Sequence, residues 1–168
     1  MTALATGPFR GRFEIKLDPK GRLLIPAAYR QILPVEIADD NSHSSQLIVT
    51  NNRYRGKSCL HAYSLAEWEK LERNIARLSS LKAEVQAFSR FYLSGGQACD
   101  VDSQGRVLIP QSLRKFAGLD GQVVLVGLGN KFEIWSEDAW KSIYEDLTDN
   151  FEETLAKVAE LDSSEGEK

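Results

Sequence analysis

The sequence is poor in cysteine and histidine, with two residues of each among 168. Cys59 and Cys99 are too few for a framework of disulfides, and we expect both to be partly buried free thiols. No apolar run approaches the roughly 20 residues of a membrane-spanning helix, and the N-terminal residues lack the apolar core of a signal peptide. These absences predict a cytoplasmic protein with no membrane partner, no metal site and no cofactor.

The residue types that catalysis most often uses are scarce as well. His43 lies in a polar segment, and His61 lies two residues after Cys59 in a β-rich segment. That spacing puts Cys59 and His61 on one face of a strand, where we interpret them as packing residues. The sequence has no glycine-rich phosphate loop and no cluster of metal ligands. We therefore predict no catalytic residues and no small-molecule substrate.

Charge is unevenly distributed along the chain, although the net charge is only −3. Residues 1–60 carry nine Lys and Arg against five Asp and Glu, whereas residues 61–168 carry twelve against nineteen. Six of the basic residues fall between Arg10 and Arg30. Such asymmetry can focus a positive field on one face of an acidic protein, and it favours a nucleic-acid partner. A chance cluster of charges on a solvated strand is the alternative interpretation.

An internal repeat organises the chain. The segment DPKGRLLIPAAYR at 18–30 aligns with DSQGRVLIPQSLR at 102–114, at an offset of 84 residues. Farther on, LHAYSLAEWEKL at 60–71 aligns with FEIWSEDAWKSI at 132–143, at an offset of 72. The first copy therefore holds twelve additional residues. We place them in polar loops around 39–57, including a turn at NNRYRGK.

Each copy is predicted to fold as the same supersecondary unit. A strand leads into a turn at Gly21 or Gly105, and a short apolar strand follows. Pro26 or Pro110 then ends that strand and opens a short helix, where a missing N–H costs nothing. A hairpin completes each copy, tight in the second copy and with a longer connection in the first. Neither copy of about 45 residues can bury enough surface alone, so we expect the two to fold on each other.

Helices are predicted between and after the repeats. Ser64 and Glu67 form a capping-box pattern, and apolar residues at helical spacing continue to Tyr92 with a break near Ser79 and Ser80. We accordingly divide the chain into repeat 1 at 12–67, a helical connector at 68–96, repeat 2 at 97–140, a C-terminal helix at 141–161 and a disordered tail at 162–168.

The pattern D-x-x-G-R followed by an apolar strand and proline occurs twice. Its members are Asp18, Gly21 and Arg22, and then Asp102, Gly105 and Arg106. Glycine permits the tight turn, aspartate accepts hydrogen bonds from turn N–H groups, and arginine carries donors that suit phosphate and guanine edges. An Asp–Arg ion pair that only locks the turn is the structural alternative.

The first copy has more basic residues near this motif than the second. We expect Lys20, Arg12 and Arg10 to lie beside Arg22 on paired strands, whereas the matching positions beside Arg106 hold glutamines. The sequence therefore favours the first hairpin as the surface that binds DNA. Arg106 is the equivalent candidate in the second copy, with a smaller expected contribution.

Longer stretches around these motifs are similar to the MraZ family over about residues 9–150. They are FRG at 9–11, LDPKGRLLIP at 17–26, WEKLERNIARLSS at 68–80, DSQGRVLIP at 102–110, RKFAGL at 114–119 and LVGLGNKFEIW at 125–135. The resemblance implies an α+β fold, namely a duplicated AbrB-like swapped-hairpin β-barrel with helices between and after the repeats, assembled into a ring of identical chains. It also implies a DNA-binding transcription regulator that recognises short purine-rich direct repeats upstream of the division and cell-wall gene cluster.

Carried over to this chain, the resemblance assigns DNA contacts to three residues. Lys20 and Arg22 match the hairpin position that faces DNA, and Arg10 stands in the opening FRG as a helper. The implied partners are double-stranded promoter DNA and further copies of the chain, and the implied location is the nucleoid. The residues around 39–57 and the segment MTALATGP depart from the family pattern.

Three other functions compete with this interpretation. Asp18 and Asp102 could form a catalytic carboxylate pair, but the neighbouring Lys20, Arg22 and Arg106 would keep both ionised instead of separating their pKa values. An antitoxin-like interaction module would usually have one hairpin unit and a long disordered tail. A non-specific architectural DNA-binding protein stays open as an alternative.

Overall fold

The computed structural model describes residues 8–34, 36–37 and 43–166. The polar residues 39–42, part of the predicted loops of the first copy, lie outside the described residues. The chain divides into two compact units, Met1–Glu137 and Asp138–Lys168. Within the described part of the chain, no helix is both long and apolar enough to cross a membrane.

The described residues of the first unit form nine strands, four α-helices and one π-helical turn. The elements of the first copy are β1 Arg12–Lys16, β2 Arg22–Leu24, α1 Ala27–Arg30, β3 Glu36–Ile37, β4 His43–Tyr54 and β5 Lys57–Ser64. The connector contains α2 Leu65–Ala76 and α3 Ala83–Phe88, and the latter continues as a π-helical turn, Ser89–Leu93. The second copy contributes β6 Gln97–Val101, β7 Arg106–Leu108, α4 Gln111–Ala117, β8 Gln122–Gly127 and β9 Phe132–Ser136.

Eight strands form a nearly closed antiparallel barrel in the order β1-β8-β9-β5-β4-β6-β7-β2, with β3 paired to β4 outside this row. The turn between β1 and β2 joins the two ends of the row, and the Asp18 N–H donates to the Arg22 carbonyl at 2.9 Å. Strand β1 of the first copy pairs with β8 of the second, and β6 of the second pairs with β4 of the first. This exchange of strands confirms the predicted swapped-hairpin barrel.

A pseudo-two-fold axis relates the two copies. It passes through the β2–β7 pair, where Leu23 lies opposite its repeat equivalent Val107. The Ile25 N–H donates to the Gly105 carbonyl at 2.8 Å, and the Ile109 N–H donates to the Gly21 carbonyl at 3.0 Å. On the other side of the barrel, β5 and β9 pair at another two equivalent residues, His61 and Glu133.

Strand alternation separates an inner core from an outer layer. On β5, Leu60 and Ala62 belong to the barrel core, whereas Tyr63 belongs to a second cluster on the outside. The barrel core is filled from both copies by apolar residues that are fully buried, among them Leu23, Ile25, Leu47, Val49, Leu60, Val107, Ile109, Leu125, Phe132 and Ile134. Because each copy supplies half of one core, neither half is a complete folding unit.

The first-copy hairpin differs from the prediction. Strand β4 extends to Tyr54 and β5 begins at Lys57, so the expected loop at NNRYRGK is mostly strand. The turn consists of Arg55 and Gly56 alone, with φ of 48° and 78°. Two consecutive positive φ values indicate a type I′ turn, which matches the twist of the flanking strands. The prediction of a longer connection was wrong because Asn51 and Asn52, which suggest a loop, are paired with β5 in the strand ladder.

The helical connector and its break are confirmed. Ser64 caps α2 by accepting a hydrogen bond from the Glu67 N–H at 3.3 Å, and the chain leaves helical geometry between Ala76 and Ala83. Trp68 and Tyr92 bury their rings against Tyr63 and Ile48 on the outer face of β4 and β5. The connector therefore packs on the barrel through its aromatic residues.

The described residues of the second unit are mostly helical. Helix α5 spans Glu137–Asp149 and α6 spans Phe151–Glu165, so Asn150 interrupts the single closing helix that was predicted. The disordered tail predicted at 162–168 is wrong for its first four residues. The hydroxyls of Ser163 and Ser164 donate to carbonyls of the preceding turn at 3.0 and 2.8 Å and satisfy themselves within the helix. Residues 167–168 lie outside the described part.

Candidate nucleic-acid interface

The two D-x-x-G-R turns have nearly identical geometry. Asp18 Oδ1 accepts hydrogen bonds from the N–H groups of Lys20 and Arg22 at 2.8 and 3.0 Å. Asp102 Oδ1 accepts from the equivalent N–H groups of Gln104 and Arg106, both at 2.9 Å. Each aspartate thus satisfies backbone donors that the turn would otherwise leave unpaired, which is the structural role that the sequence analysis considered for it.

The side chain of an arginine from the other copy packs against the glycine of each turn. The sequence did not predict this contact. Gly21 has φ of +87°, and a Cβ there would lie 2.3 Å from Arg114 Cζ. Gly105 has φ of +80°, and a Cβ there would lie 2.6 Å from Arg30 Nη1. The glycines are therefore required both for the backbone conformation and for close approach of a guanidinium. Arg30 and Arg114 align in the repeat, but only the exchange of strands brings each one under the opposite turn.

Arg22 forms an ion pair that Arg106 lacks among the described residues. Arg22 Nε donates to Asp18 Oδ2 at 2.8 Å, while Arg106 donates to the Gln104 side chain. The backbone N–H of Arg22 and then its side chain hold the pKa of Asp18 below its usual value, so the carboxylate is ionised at neutral pH. The turn-locking alternative is thus realised in the first copy. The Arg22 side chain is nevertheless 42% exposed, and the ion pair fixes its direction.

Strands β2 and β7 form a two-stranded ribbon with an exposed outer face, which we call the β2–β7 ribbon. The register pairs Arg22 with Leu108 and Leu24 with Arg106. Leu24 and Leu108 are 43% and 54% exposed, whereas the intervening Leu23 and Val107 are fully buried. Arg22 and Arg106 are therefore diagonal neighbours on one face, with Cα atoms about 7–8 Å apart. Both copies thus contribute to a single surface, and Lys20 stands exposed in the turn at one end of it.

Arg10 does not lie beside Arg22, contrary to the prediction. Phe9 pairs with Gly129 through two backbone hydrogen bonds, at 2.7 and 3.0 Å, which holds Arg10 at the β8–β9 turn. That position is at the far end of β1 from the Asp18 turn, about 20 Å away along the strand. The sequence could not show this separation. Basic residues that are close together in the sequence lie far apart in space when the chain between them is an extended strand.

A second group of polar side chains lies on the outer faces of β5 and β9. His61 Nε2 lies 3.0 Å from Glu133 Oε2, and His61 Nδ1 lies 2.6 Å from the Tyr92 hydroxyl. Cys59 Sγ lies 3.9 Å from the same Glu133 oxygen. Burial raises the pKa of the Cys59 thiol to about 12, so it is protonated and unreactive as it stands. The second thiol, Cys99, has its pKa raised by burial to about 11.

Sequence reasoning missed the part that Glu133 plays in this group. His61 and Glu133 are equivalent residues in the repeat at the offset of 72. Equivalent residues of antiparallel strands meet where a two-fold axis crosses the pair, as they do at β5 and β9. The repeat alignment together with the predicted pseudo-symmetry could therefore have identified the contact.

The barrel of two exchanged hairpin units, with one D-x-x-G-R turn per copy, places the chain in the class of duplicated AbrB-like folds. Comparison with known families gives a narrower assignment. The chain belongs to the MraZ family: the model of that family, described as antitoxin-like, matches residues 9–91 and again 92–164. The family resemblance stated from the motifs is therefore confirmed, and the two matches reproduce the duplication.

Curated relatives cover most of the chain, and each carries the name transcriptional regulator MraZ. The protein of Methylococcus capsulatus is 44% identical over 132 residues, which are 79% of this chain and 81% of the relative. That of Shewanella frigidimarina is 42% identical over 138 residues, 82% of this chain and 86% of its own. That of Pelotomaculum thermopropionicum is 35% identical over 153 residues, 91% and 97% of the two chains. These names describe regulators and no enzyme, which confirms the prediction of a non-enzymatic protein.

Proposed function

We propose that this chain regulates transcription by binding specific DNA sequences through the β2–β7 ribbon. The observation that carries the proposal is the outer face of the ribbon, where Arg22 and Arg106 project beside two exposed leucines. A two-stranded ribbon fits the major groove of B-form DNA. Arginine forks match the acceptor pair of guanine, and apolar side chains can contact thymine methyl groups. The names of the relatives support the same function.

Within this proposal the four candidate residues have different roles. Arg22, oriented by Asp18, reads a base edge, and the exposed Lys20 contacts phosphate in the adjoining backbone. Arg106 adds a weaker contact, because its turn carries Gln104 where the first turn carries Lys20. Arg10 is too far along β1 to share the contacts of Arg22, so its contribution would be a separate phosphate contact.

The target is proposed from the family resemblance. It consists of short direct repeats in the promoter of the division and cell-wall gene cluster, including the gene for this chain, with repression as the outcome and the nucleoid as the location. One ribbon makes few contacts, so useful affinity requires several chains engaging successive repeats at high effective concentration. This requirement supports a homo-oligomer, for which a ring is the proposed form.

Exposed apolar residues of α6 support self-association. Phe151, Leu155, Val158 and Leu161 are 55–64% exposed and recur at helical spacing. A stripe of this kind is rarely left in water by a monomeric protein. Light scattering of the full chain at micromolar concentration tests the point, and a mass of about one chain, 18.8 kDa, would contradict it.

The experiment that tests the proposed function is selection of binding sites from random double-stranded DNA, followed by competition with scrambled DNA of equal length. We expect enrichment of a short repeated box, with an affinity for it at least 1000-fold above that for scrambled DNA. Equal affinity for the two would instead indicate a non-specific architectural protein. Absence of binding to either would refute DNA binding altogether.

An antitoxin-like module is the second candidate, favoured by the description of the family model. It predicts a toxin gene next to the gene for this chain and a stable complex of the two products. The proposed regulator predicts cell-wall synthesis genes in that position. Sizing of the natively purified chain separates the two, since the regulator should elute with copies of itself alone.

A further inference from the structure

Three potential metal ligands lie on the outer face of the barrel. They project from β5 and β9, which two strands on either side separate from the β2–β7 ribbon. Cys59 and His61 project from β5, and Glu133 projects from the paired strand β9. Cys59 is fully buried, and the side chains of His61 and Glu133 are 10% and 12% exposed. The group thus combines a thiol, an imidazole and a carboxylate in a position shielded from solvent. None of the three residues takes part in the proposed contacts with DNA.

The three ligand atoms lie close to one another, at separations near those around a tetrahedral ion. Around Zn²⁺, nitrogen, oxygen and sulfur ligands at their usual bond lengths lie about 3.3–3.6 Å from one another. Here Glu133 Oε2 lies 3.0 Å from His61 Nε2 and 3.9 Å from Cys59 Sγ, and all three atoms are within 4.8 Å. Binding of an ion would require these separations to change by a few tenths of an ångström for the two pairs at 3.0 and 3.9 Å.

Each ligand also has a partner that orients it from behind. The Tyr92 hydroxyl contacts His61 Nδ1 at 2.6 Å and leaves Nε2 turned toward Glu133. Trp135 Nε1 donates to Glu133 Oε1 at 3.0 Å, the oxygen that does not face the cluster. Asn52 Nδ2 approaches Cys59 Sγ at 3.5 Å. Outer contacts of this kind are characteristic of metal centres, where they fix ligand geometry.

We propose that Cys59, His61 and Glu133 form a binding site for one divalent zinc-type metal ion. A thiolate, a neutral imidazole and a carboxylate suit a borderline ion such as Zn²⁺ or Co²⁺, and they do not suit Mg²⁺ or Ca²⁺. On binding, the Cys59 thiol releases its proton to solvent, so the two negative ligands balance the two charges of the ion in this buried position. Three protein ligands leave the fourth tetrahedral position for water.

The bound ion would tie the connector to the barrel. Tyr92 belongs to the π-helical turn, and its hydroxyl contacts both His61 and Tyr63. Loading the site would therefore hold this turn against β5 more firmly than the hydrogen bonds alone. The inference does not depend on the proposed DNA binding, since none of these residues lies on the ribbon.

Titration of the full-length, reduced and metal-free protein with Co²⁺ tests the proposal. We expect one ion per chain, with visible bands of tetrahedral cobalt and a near-ultraviolet band of sulfur-to-cobalt charge transfer. Zn²⁺ should displace the cobalt, and excess Mg²⁺ or Ca²⁺ should not. Absence of these bands from the folded protein would overturn the proposal and leave the cluster as a hydrogen-bonded network.

Matched variants locate the ion. Cys59→Ser should lose the charge-transfer band, whereas Cys99→Ser removes the other buried thiol and should retain it. Glu133→Gln and Tyr92→Phe keep the side-chain shapes, and Tyr92→Phe should weaken cobalt binding about 10- to 100-fold through the outer contact. A charge-transfer band that survives Cys59→Ser but disappears in Cys99→Ser would contradict the assignment. If Cys59→Ser fails to fold, the other two ligand-side variants decide. Undiminished cobalt affinity in both Glu133→Gln and Tyr92→Phe would contradict the assignment as well.

Discussion

Individual residues of the D-x-x-G-R turns combine a structural role with the proposed role in DNA binding. Asp18 pairs with two backbone N–H groups and with the Arg22 guanidinium, so one carboxylate both closes the turn and aims the arginine. Asp102 makes only the backbone contacts of the same set. The Arg22 guanidinium is thus held by a carboxylate, whereas that of Arg106 is held by the neutral amide of Gln104. Preorganisation of this kind lowers the entropy cost of each contact with DNA.

Replacement of Gly21 in the first D-x-x-G-R turn should destabilise the protein more than replacement of Gly56. Gly21→Ala and Gly56→Ala both place a side chain at positive φ, and each should cost about 1 kcal/mol of unfolding free energy on that account. Gly21→Ala should cost about 1 kcal/mol more, because the new Cβ would displace Arg114 and break its 2.8 Å hydrogen bond to the Ile109 carbonyl. Urea denaturation of both variants measures the difference.

The control for this prediction is the position of Gly56, where no atom lies within 4 Å of an added Cβ. The double variant Gly21→Ala/Arg114→Ala should show a smaller penalty than the sum of its single changes, since the clash is gone. Equal costs at Gly21 and Gly56 would mean that Arg114 moves aside freely and does not support the turn.

At the scale of elements, the connector is held by side chains of β4 as well as by aromatic packing. The Thr50 hydroxyl donates to the Tyr92 carbonyl at 2.6 Å, and Asn51 Nδ2 donates to the Phe91 carbonyl at 3.1 Å. Both carbonyls lie at the end of the π-helical turn, where the last C=O groups of a helix have no helical N–H partner. The turn is thus stabilised by the strand beneath it.

Thr50→Val tests this contact. The substitution keeps the shape but removes the hydroxyl, which leaves the buried Tyr92 carbonyl without its donor and should cost about 1–3 kcal/mol of unfolding free energy. Amide hydrogen exchange across Ser89–Leu93 should become faster than in the native chain. Thr50→Ser serves as the control, because it retains the hydroxyl and should protect the turn. Unchanged stability and exchange in Thr50→Val would refute the assigned role.

Features that depend on short stretches of sequence were predicted correctly. These are the glycine turns, the Ser64 cap and the break in the connector. The repeat was predicted as well, because it follows from aligning the sequence with itself. The β4–β5 turn was missed because Asn51 and Asn52 suggest a loop but sit in a long ladder. The contacts of Arg30, Arg114 and Glu133 were missed because they depend on the strand exchange, which brings residues of different copies together.

At the scale of the whole molecule, neither half of the chain has a complete set of pairing partners. Strand β1 has β8 as its neighbour, and the β4–β5 hairpin lies between β6 and β9. Residues 1–90 expressed alone should therefore be unfolded or aggregated, and addition of the remaining chain should restore the barrel. Circular dichroism and thermal unfolding measure this. A cooperatively folded, monomeric half would show that the exchanged strands are dispensable.

The overall charge of the molecule also bears on the proposed DNA binding. The net charge of −3 disfavours unspecific attraction to DNA over the whole surface. The proposed DNA binding must then depend on a small number of basic residues, which the proposed oligomer would repeat. The salt dependence of affinity should consequently be set by the number of engaged ribbons and should fall when Lys20 is removed.

The most direct test of the central claim is fluorescence anisotropy with the selected box and with scrambled DNA, comparing Arg22→Ala, Lys20→Ala and Arg106→Ala. Arg22→Ala should abolish the preference for the box, a loss of about 1–3 kcal/mol per engaged chain. Lys20→Ala should weaken binding to both DNAs and reduce the salt slope by about one per chain. Arg106→Ala should have a smaller effect than either. Normal specific binding by Arg22→Ala, together with its loss in Arg106→Ala, would contradict the account, because the hairpin that reads DNA would then be that of the second copy.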